Sequence, residues 1–366
     1  MITYSFLQHY WWFLISLLGG ILAFLLFVQG GQTLLFSLSK TEDEKRLLVN
    51  ALGRKWEFTF TTLVTFGGAY WVWMAILFCF IIQAVSYEFQ TKPGNVFGAT
   101  TYRAFLFANG LLGTFLIGAA IATFFTGSDF IVNKANITQQ LAPVISSWGN
   151  EWHGLDALFT VRNWTLGIAV FFLARSLALL FFVNRLNNEV LEARSRKFLW
   201  YNAIPFVVFF LIFVIWTLFS DGFAVDPTTG VVSMEKYKYF TNFIEMPIVL
   251  VLFLLGVVAV LVGIIGTWIS PKFKKGIWFA GVGTVVTVCS LLLTAGYNNT
   301  AYYPATPNLQ SSLTISNSSS SFFTLNAMSL VSLFIPVVLV YIFIAWRSME
   351  KNRIDIEDVN GDDHAY

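Results

Sequence analysis

Two ionisable residues lie within or beside long apolar runs, where a charge is costly and therefore indicates a function. Arg175 is inside such a run, so its guanidinium must face protein or water and bind a carboxylate, a carbonyl oxygen or a lipid headgroup. The structural alternative is an arginine whose long side chain extends to the membrane surface. Glu57 follows Lys55 where another run begins, and its carboxylate could accept protons beside this positive partner. The alternative for Glu57 is a helix N-terminal acid that complements the helix dipole.

Gln29 and Gln32 form a second candidate pair, because residues three positions apart share one face of a helix. Such amides can hydrogen-bond between membrane helices, and the glycines at 30 and 31 would let a neighbouring backbone approach closely. The pair could belong to a polar relay or serve only as a packing contact.

The remaining residues with metal-binding or redox chemistry are few. His9, His153 and His364 are expected in termini or loops, so we expect no haem ligation by this chain alone. Cys79 and Cys289 lie in apolar runs and are interpreted as packing residues. The sequence has no Walker A motif, glycine-rich dinucleotide turn, catalytic Ser/His/Asp spacing or clustered metal ligands.

The composition indicates that a membrane positions these residues. Of 366 residues, 57% are hydrophobic, 18% aromatic and 11% charged, whereas a soluble domain carries about 25% charged residues. So few charges cannot cover a soluble surface, and so many aromatic residues exclude a disordered chain. The net charge of +2 gives no reason to expect a nucleic-acid partner.

Long apolar runs predict an all-α polytopic membrane protein with about eight to nine transmembrane helices in two pseudo-repeated bundles. The chain is predicted to form one membrane domain, 1–366, with an N-terminal bundle part at 10–125, C-terminal helices at 164–346 and a charged, frayed tail at 347–366. The predicted runs are Tyr10–Phe36, Phe58–Ser86, Ala104–Phe125, Trp164–Val183, Phe198–Phe219, Pro247–Ile269, Gly276–Leu293 and Leu325–Trp346.

The run Phe58–Ser86 is too long for one comfortable span and too short for two. If it crosses once, the basic residues outside the spans divide into nine and twelve, which is no clear bias. If it enters and returns on one side, they divide into seventeen and four, as the positive-inside rule predicts. We therefore expect a shortened or broken segment at 58–86, hinged near Gly67-Gly68, with the N-terminus outside and the C-terminus in the cytoplasm.

The polar segments between the runs also carry predictions. Residues 40–55 are charged and amphipathic, and Thr41 followed by three acids predicts the start of a short cytoplasmic helix. The segments 130–163, 221–245 and 297–321 are predicted to be loops on the outside.

Short motifs are distributed along the chain. Those in the C-terminal third are Thr294-Ala-Gly296, Tyr303-Pro304, Ser312-Leu-Thr-Ile315, Asn317-Ser-Ser-Ser-Ser321, Thr324-Leu-Asn326 and Met328, followed by a span with Pro336. The earlier ones are Tyr10-Trp11-Trp12, Asn50-Ala51, Trp56-Glu57, Gly67-Gly68-Ala69 and Asp221-Gly222-Phe223. Together these motifs resemble subunit II of the cytochrome bd family of quinol oxidases. The resemblance covers essentially the whole sequence and is most specific in the C-terminal third.

Three departures from the family pattern bear on function. Many relatives carry two aspartates where this chain has Gln29 and Gln32, which weakens a proton path through these positions. A His-Trp-Asp pattern of some members is Lys55-Trp56-Glu57 here, so the carboxylate is kept. About one short helix is absent after Gly68-Ala69, which is either a natural shortening or a missing stretch of sequence.

The resemblance implies a subunit of a quinol:O2 oxidoreductase that is not catalytic alone. It implies a partner subunit I that carries haem b and haem d, and contact through the complex with the quinol pool and O2. No cofactor is expected on this chain directly, although a structural quinone or lipid occurs in some members. A small accessory subunit and membrane lipids are further partners, and the location is the bacterial inner membrane. Subunit II is expected to stabilise the haem subunit and to support proton uptake from the cytoplasm.

The alternative is a stand-alone secondary transporter with a broken-helix site at Gly67-Gly68 and Arg175 as an anion ligand. Such a protein should show inverted repeats and more polar residues at mid-depth, which this sequence lacks.

Overall fold

Long helices dominate the computed structural model, which describes residues 3–69, 74–92, 94–138, 144–349 and 353–360. Three two-stranded antiparallel sheets accompany them. The helices are α1 Tyr4–Leu25, α2 Phe27–Gln32, α3 Leu35–Leu38, α4 Glu42–Gly53, α5 Trp56–Ala69, α6 Met74–Phe89, α7 Ala99–Thr126, α8 Val161–Arg185, α9 Glu189–Leu218, α10 Lys238–Glu245, α11 Pro247–Ile269, α12 Gly276–Gly296, α13 Ile315–Ser318, α14 Phe322–Ser332, α15 Ile335–Met349 and α16 Ile356–Asn360. The strands are β1 Phe130–Val132, β2 Ser146–Trp148, β3 Gly222–Val225, β4 Val232–Glu235, β5 Ala301–Tyr303 and β6 Leu313–Thr314.

Within the described residues, seven helical stretches are long and apolar enough to cross a membrane. They correspond to seven of the eight predicted runs, which confirms the all-α polytopic fold. The remaining run, Phe58–Ser86, is divided into two shorter helices, α5 of 14 residues and α6 of 16 residues. The seven stretches are Tyr4–Gln32, Ala99–Thr126, Val161–Arg185, Glu189–Leu218, Pro247–Ile269, Gly276–Gly296 and Phe322–Ser348.

The bundle has two distinct ends. The hairpin end holds the three sheets. Two isolated bridges link them: Ser128 pairs with Ala305 in parallel, and Ala224 pairs with Thr300 in antiparallel orientation. The charged end holds α4 and the start of α9, joined by an ion pair of 2.7 Å between Glu44 and Arg194. The segments predicted as loops on one side of the membrane therefore meet at one end.

Helices α5 and α6 form a broken hairpin that starts and finishes at the charged end. The Thr59 hydroxyl donates to the Leu25 carbonyl at 3.1 Å, so α5 begins beside the end of α1. A side chain at Gly19 would overlap the Phe66 ring, so α5 reaches only the middle of α1. At the end of α6, the Tyr87 ring stacks on Trp56 with centroids 6.0 Å apart. This geometry confirms the predicted broken segment.

The break lies next to the predicted hinge, since Gly67 and Gly68 are helical residues of α5 and this helix ends at Ala69. A glycine in a helix costs only about 1 kcal/mol relative to alanine, so it does not break a helix by itself. The chain passes from α5 to α6 through residues 70–73, which lie outside the described part of the chain.

The N-terminal and C-terminal parts of the chain pack into one continuous bundle. Helix α7 packs along α8, and α1 packs along α12. Helix α2 approaches α8 closely at Gly30, where any side chain would overlap the Ala174 backbone. The α4 helix begins as predicted, since Thr41 Oγ1 accepts the Glu44 amide at 3.2 Å.

The prediction of a frayed tail is wrong for residues 353–360. Ile354 forms a parallel bridge with Leu186, and its side chain is 2% exposed. Arg353 donates to the Val183 carbonyl at 2.7 Å and to the Asn184 carbonyl at 3.2 Å. The tail thus satisfies carbonyl groups that the end of α8 leaves without helical donors, and α16 packs on α4.

Candidate functional site

Four amide side chains from α2, α6 and α7 form a buried cluster, which we call the amide cluster: Gln29, Gln32, Gln83 and Asn109. Each is at most 2% exposed. Gln29 and Gln32 meet α6 and α7 because they share one face of α2, as predicted from their spacing. The cluster fixes the returning helix of the broken hairpin against the bundle.

Gln83 is the centre of the amide cluster. Its Oε1 atom accepts from the amide nitrogens of Gln29, Gln32 and Asn109 at 2.6, 2.7 and 2.8 Å. Asn109 Nδ2 also donates to Gln32 Oε1 at 2.8 Å. Within the described residues, Gln29 Oε1, Gln83 Nε2 and Asn109 Oδ1 have no hydrogen-bond partner. Because amides do not titrate, the cluster can relay hydrogen bonds but cannot store a proton.

Aromatic residues connect the start of α5 to the amide cluster. The Tyr87 hydroxyl accepts from Gln32 Nε2 at 3.2 Å, while the Tyr87 ring stacks on Trp56. Trp56 is adjacent to Glu57, which lies exposed in the first turn of α5. The structure thus brings Glu57, Gln29 and Gln32 into one region at the charged end.

Lys55 is buried, with 2% of its surface exposed. Its ammonium lies 3.9 Å from the centroid of the Trp346 ring, a cation–π contact. The ion pairs among the described residues include none between Lys55 and Glu57. The two charges are therefore neighbours in sequence without direct contact.

Arg175 binds neutral oxygen atoms. Its Nε donates to Asn202 Oδ1 at 2.6 Å, and its Nη1 donates to Thr33 Oγ1 at 2.9 Å. It also lies 5.4 Å from the Phe171 ring centroid. Thr33 directly follows Gln32, so Arg175 and the amide cluster both contact the end of α2. In the described part of the chain, Arg175 forms no ion pair with a carboxylate.

Sequence reasoning missed Gln83, Asn109 and Tyr87. Gln83 and Asn109 lie 54 and 77 residues from Gln29 and Gln32, respectively, so no local pattern could place them together. Both are amides inside apolar runs, and that uncommon position was the available signal.

The histidines differ in part from the prediction. His9 is in α1 rather than in a terminal loop, because α1 begins at Tyr4. Its Nδ1 lies 2.7 Å from the Ser5 carbonyl oxygen, and its side chain is exposed. His153 is exposed in a loop, and His364 lies outside the described residues. No group of metal-binding side chains is found in the described residues.

An apolar cavity of about 160 Å³ lies inside the bundle, between α1, α7, α8, α9, α11 and α12. Its lining is almost entirely aliphatic and aromatic and includes Leu22, Ile121, Leu173 and Phe210. Such a space can accept part of a hydrocarbon chain but offers little for a polar group.

The α4 helix carries the most strongly shifted acid of the charged end. Hydrogen bonds from Lys45 and Arg103 lower the pKa of Glu42 to about 2, against the opposing effect of burial. The hydrogen bond from Arg194 likewise lowers the pKa of Glu44. Both carboxylates are thus fixed as anions at neutral pH, so α4 is a structural rather than a titrating element.

Comparison with known proteins gives consistent matches. Residues 7–349 match the family model described as cytochrome bd terminal oxidase subunit II. The chain is 23% identical to the probable cytochrome oxidase subunit 2 of Haemophilus influenzae and 23% identical to the cytochrome bd-I ubiquinol oxidase subunit 2 of Escherichia coli K12. Each alignment has 398 positions and covers 100% of both chains. A solved structure of bd oxidase from Geobacillus thermodenitrificans has a similar fold, with a TM-score of 0.60, 15% identity, and coverage of 94% of this chain and 99% of that chain.

Proposed function

Because the chain belongs to the cytochrome bd terminal oxidase subunit II family, we propose that it is the haem-free subunit of a complex that couples quinol oxidation to the reduction of O2 to water. In this proposal, haem b and haem d are bound by subunit I, and this chain is not catalytic alone. It would sit in the bacterial inner membrane with its N-terminus outside. The exposed positions of His9 and His153 support a division of labour in which the partner supplies the haem ligands.

The second part of the proposal is that this subunit supports proton uptake at the charged end. The observation that carries it is the broken α5–α6 hairpin, in which Trp56, the sequence neighbour of the exposed Glu57, stacks on Tyr87, and the Tyr87 hydroxyl accepts from Gln32 of the amide cluster. Glu57 would accept a proton at the surface, with the buried Lys55 as a positive charge nearby. Gln29 and Gln32 would contribute hydrogen bonds along the route without binding the proton.

The apolar cavity supports a third element, the accommodation of a hydrocarbon tail from a lipid or quinone. Phe206 lines the cavity and lies four residues after Asn202, the hydrogen-bond partner of Arg175, on the same face of α9. Arg175 would bind the polar headgroup of that molecule while remaining tied to Asn202 and Thr33. Its neutral partners leave the charge of the guanidinium available for such a contact.

Replacement of Glu57 by glutamine tests the proton-uptake proposal. Turnover of the purified oxidase should fall by roughly tenfold or more, because a positioned proton acceptor is lost, while haem absorbance is retained. The matched control is Glu189→Gln, which removes another exposed first-turn acid at the charged end. If both variants lose the same activity, the loss comes from the removal of an acid at a helix N-terminus and not from proton uptake. Unchanged turnover in E57Q would remove Glu57 from the proton path.

Purification separates this proposal from the stand-alone transporter. A subunit of the oxidase should elute together with a second membrane protein and carry b- and d-type haem absorbance from it. A colourless chain that transports a solute by itself would contradict the proposal.

A further inference from the structure

Arg162 is a buried cation at the hairpin end. It lies in the first turn of α8 and is 9% exposed. Among the described residues, its Nε and Nη2 atoms have no hydrogen-bond partner, and no ion pair involves it. By contrast, the guanidinium groups of Arg175, Arg194 and Arg196 all donate to oxygen atoms of the protein.

A buried guanidinium with unused donors is costly, so its position indicates an anionic partner. Burial raises the pKa of the Tyr239 phenol more strongly than the Arg162 charge lowers it, so Tyr239 is a neutral group and cannot serve as that anion.

Arg162 lines a pocket of about 400 Å³ between the start of α8, the end of α9 and the β3–β4 hairpin. The other lining residues include Thr160, Trp216, Asp221 and Phe223. Thr160 is the N-cap residue of α8, but its side chain makes no capping hydrogen bond. The positive end of the α8 dipole and the Arg162 guanidinium thus both favour an anion in this pocket.

The depth of the pocket indicates where this anion comes from. Three large aromatic side chains at the same end, Trp164, Trp216 and Phe219, are 47%, 46% and 66% exposed. Such residues mark the boundary between the hydrocarbon and the headgroups of a bilayer. The phosphate groups of phospholipids lie at this level.

We propose that the Arg162 pocket binds a phosphate group, that of a membrane phospholipid or of phosphate in solution, and that Arg162 is its principal ligand. The exposed Asp221 carboxylate on the same pocket would accept from a donor on the headgroup. Ethanolamine offers such N–H donors next to the phosphate, whereas choline offers none. The expected ligand is therefore a phosphodiester lipid with an amine headgroup.

The test uses the purified complex after its lipid has been removed, with the midpoint of thermal unfolding as readout. Phosphatidylethanolamine in mixed micelles should raise the midpoint more than phosphatidylcholine does, and inorganic phosphate should have a smaller effect. Equal stabilisation by inorganic phosphate would support the phosphate site and assign it to soluble phosphate. No stabilisation by any of the three probes would overturn the proposal.

Arg162→Gln should weaken the lipid response at least tenfold in affinity, since one charge-assisted contact is lost. Without lipid, the variant should unfold no earlier than the parent, because it removes an uncompensated charge. Arg162→Lys should keep part of the response. Lys236→Gln, which removes an exposed charge at the same end, should keep all of it.

Asp221→Asn should abolish only the preference for ethanolamine over choline. A purely structural role for Arg162 predicts a different pattern, in which R162Q lowers the midpoint equally with and without lipid. That pattern, or an unchanged lipid response in R162Q, would overturn the proposal.

Discussion

Single side chains at the centre of the bundle serve several neighbours at once, and Gln83 is the clearest case. Three buried amide groups donate to its Oε1 atom. Gln83→Leu should therefore leave Gln29 Nε2 without an acceptor, at a cost of about 1–3 kcal/mol, and should remove one of the two hydrogen bonds that Gln32 Nε2 and Asn109 Nδ2 each donate. We expect a clear fall in the thermal unfolding midpoint of the purified complex and faster hydrogen exchange in α6.

Gln90→Leu is the matched control for this prediction. Gln90 is also buried, near the end of α6, but its Nε2 makes no hydrogen bond within the described residues. The control should change the unfolding midpoint much less than Q83L does. Equal effects of the two variants would contradict the central role of Gln83.

Glu42 gives a prediction about pH. Its pKa is lowered from 4.5 to about 2, chiefly by the hydrogen bond from Lys45 and then by that from Arg103. A carboxyl group whose pKa is lower in the folded state than in the unfolded state stabilises the fold, and this stabilisation is at its full size above the unfolded-state pKa. It is lost as the pH falls towards the folded-state pKa. The parent should therefore lose its stability advantage over Glu42→Gln between about pH 4.5 and pH 2.

Thermal unfolding of both proteins across this pH range would measure the difference. Asp43→Asn is the control, because Asp43 is an exposed acid of the same turn. The Glu42 side chain is 64% exposed, so solvent screening should keep the effect small. A difference that does not change with pH would show that the two hydrogen bonds do not depend on the charge of Glu42.

A cap hydrogen bond or a shared helix face could be predicted from the sequence where the two residues are close along the chain. Thr41 caps α4 through the amide of Glu44, three residues away, and Gln29 and Gln32 share one helix face. Their partners could not be read in this way, because Gln83 and Asn109 reach them only after the helices have packed. The same holds for Arg175, whose partner Asn202 lies on the next long helix.

At the scale of elements, the count of basic residues predicted a segment that returns to its own side, and α5 and α6 do so. The charge count could not place the break, which lies between the end of α5 at Ala69 and the start of α6 at Met74. Charge asymmetry constrains where the ends of an element lie, whereas backbone geometry and packing determine where it bends.

The geometry of the α5–α6 hairpin predicts the membrane side of two lysines. Lys40 precedes α4 and Lys92 follows α6, both at the charged end, and both are exposed. Cysteines introduced at the two positions should react with a membrane-impermeant reagent from the same side of sealed vesicles. Labelling from opposite sides would mean that the segment 58–86 crosses the membrane once.

The docked tail predicts a stabilising effect for Arg353, whose guanidinium caps the carbonyl groups at the end of α8. Arg353→Ala should cost about 1 kcal/mol or somewhat more, as expected for charged hydrogen bonds, and should expose residues 353–360 to limited proteolysis. Arg347→Ala, at an exposed position of α15, is the control and should leave the tail protected. Unchanged cleavage in R353A would show that Ile354 and α16 hold the tail without this contact.

Across the whole molecule, burial is distributed unevenly among the spans. The apolar window of α8 is 72% buried inside the chain, whereas that of Phe322–Ser348 is 6% buried. Composition alone cannot distinguish these cases, because both are equally apolar helices and lipid is as suitable a neighbour as protein. The membrane location therefore followed from the sequence, whereas the central position of α8 did not.

The position of the histidines in the whole molecule leads to a prediction about haem. His9 and His153 are exposed near the hairpin end, and neither is enclosed by the chain. If the partner subunit supplies all axial ligands, His9→Ala and His153→Ala should leave the b- and d-type absorbance of the purified complex unchanged, since neither imidazole would then be bound to iron. Loss of a haem band in either variant, with the subunit ratio unchanged on a denaturing gel, would place an axial ligand on this chain and contradict its haem-free role. A parallel loss of both subunits would instead identify the histidine as a contact that stabilises the assembly.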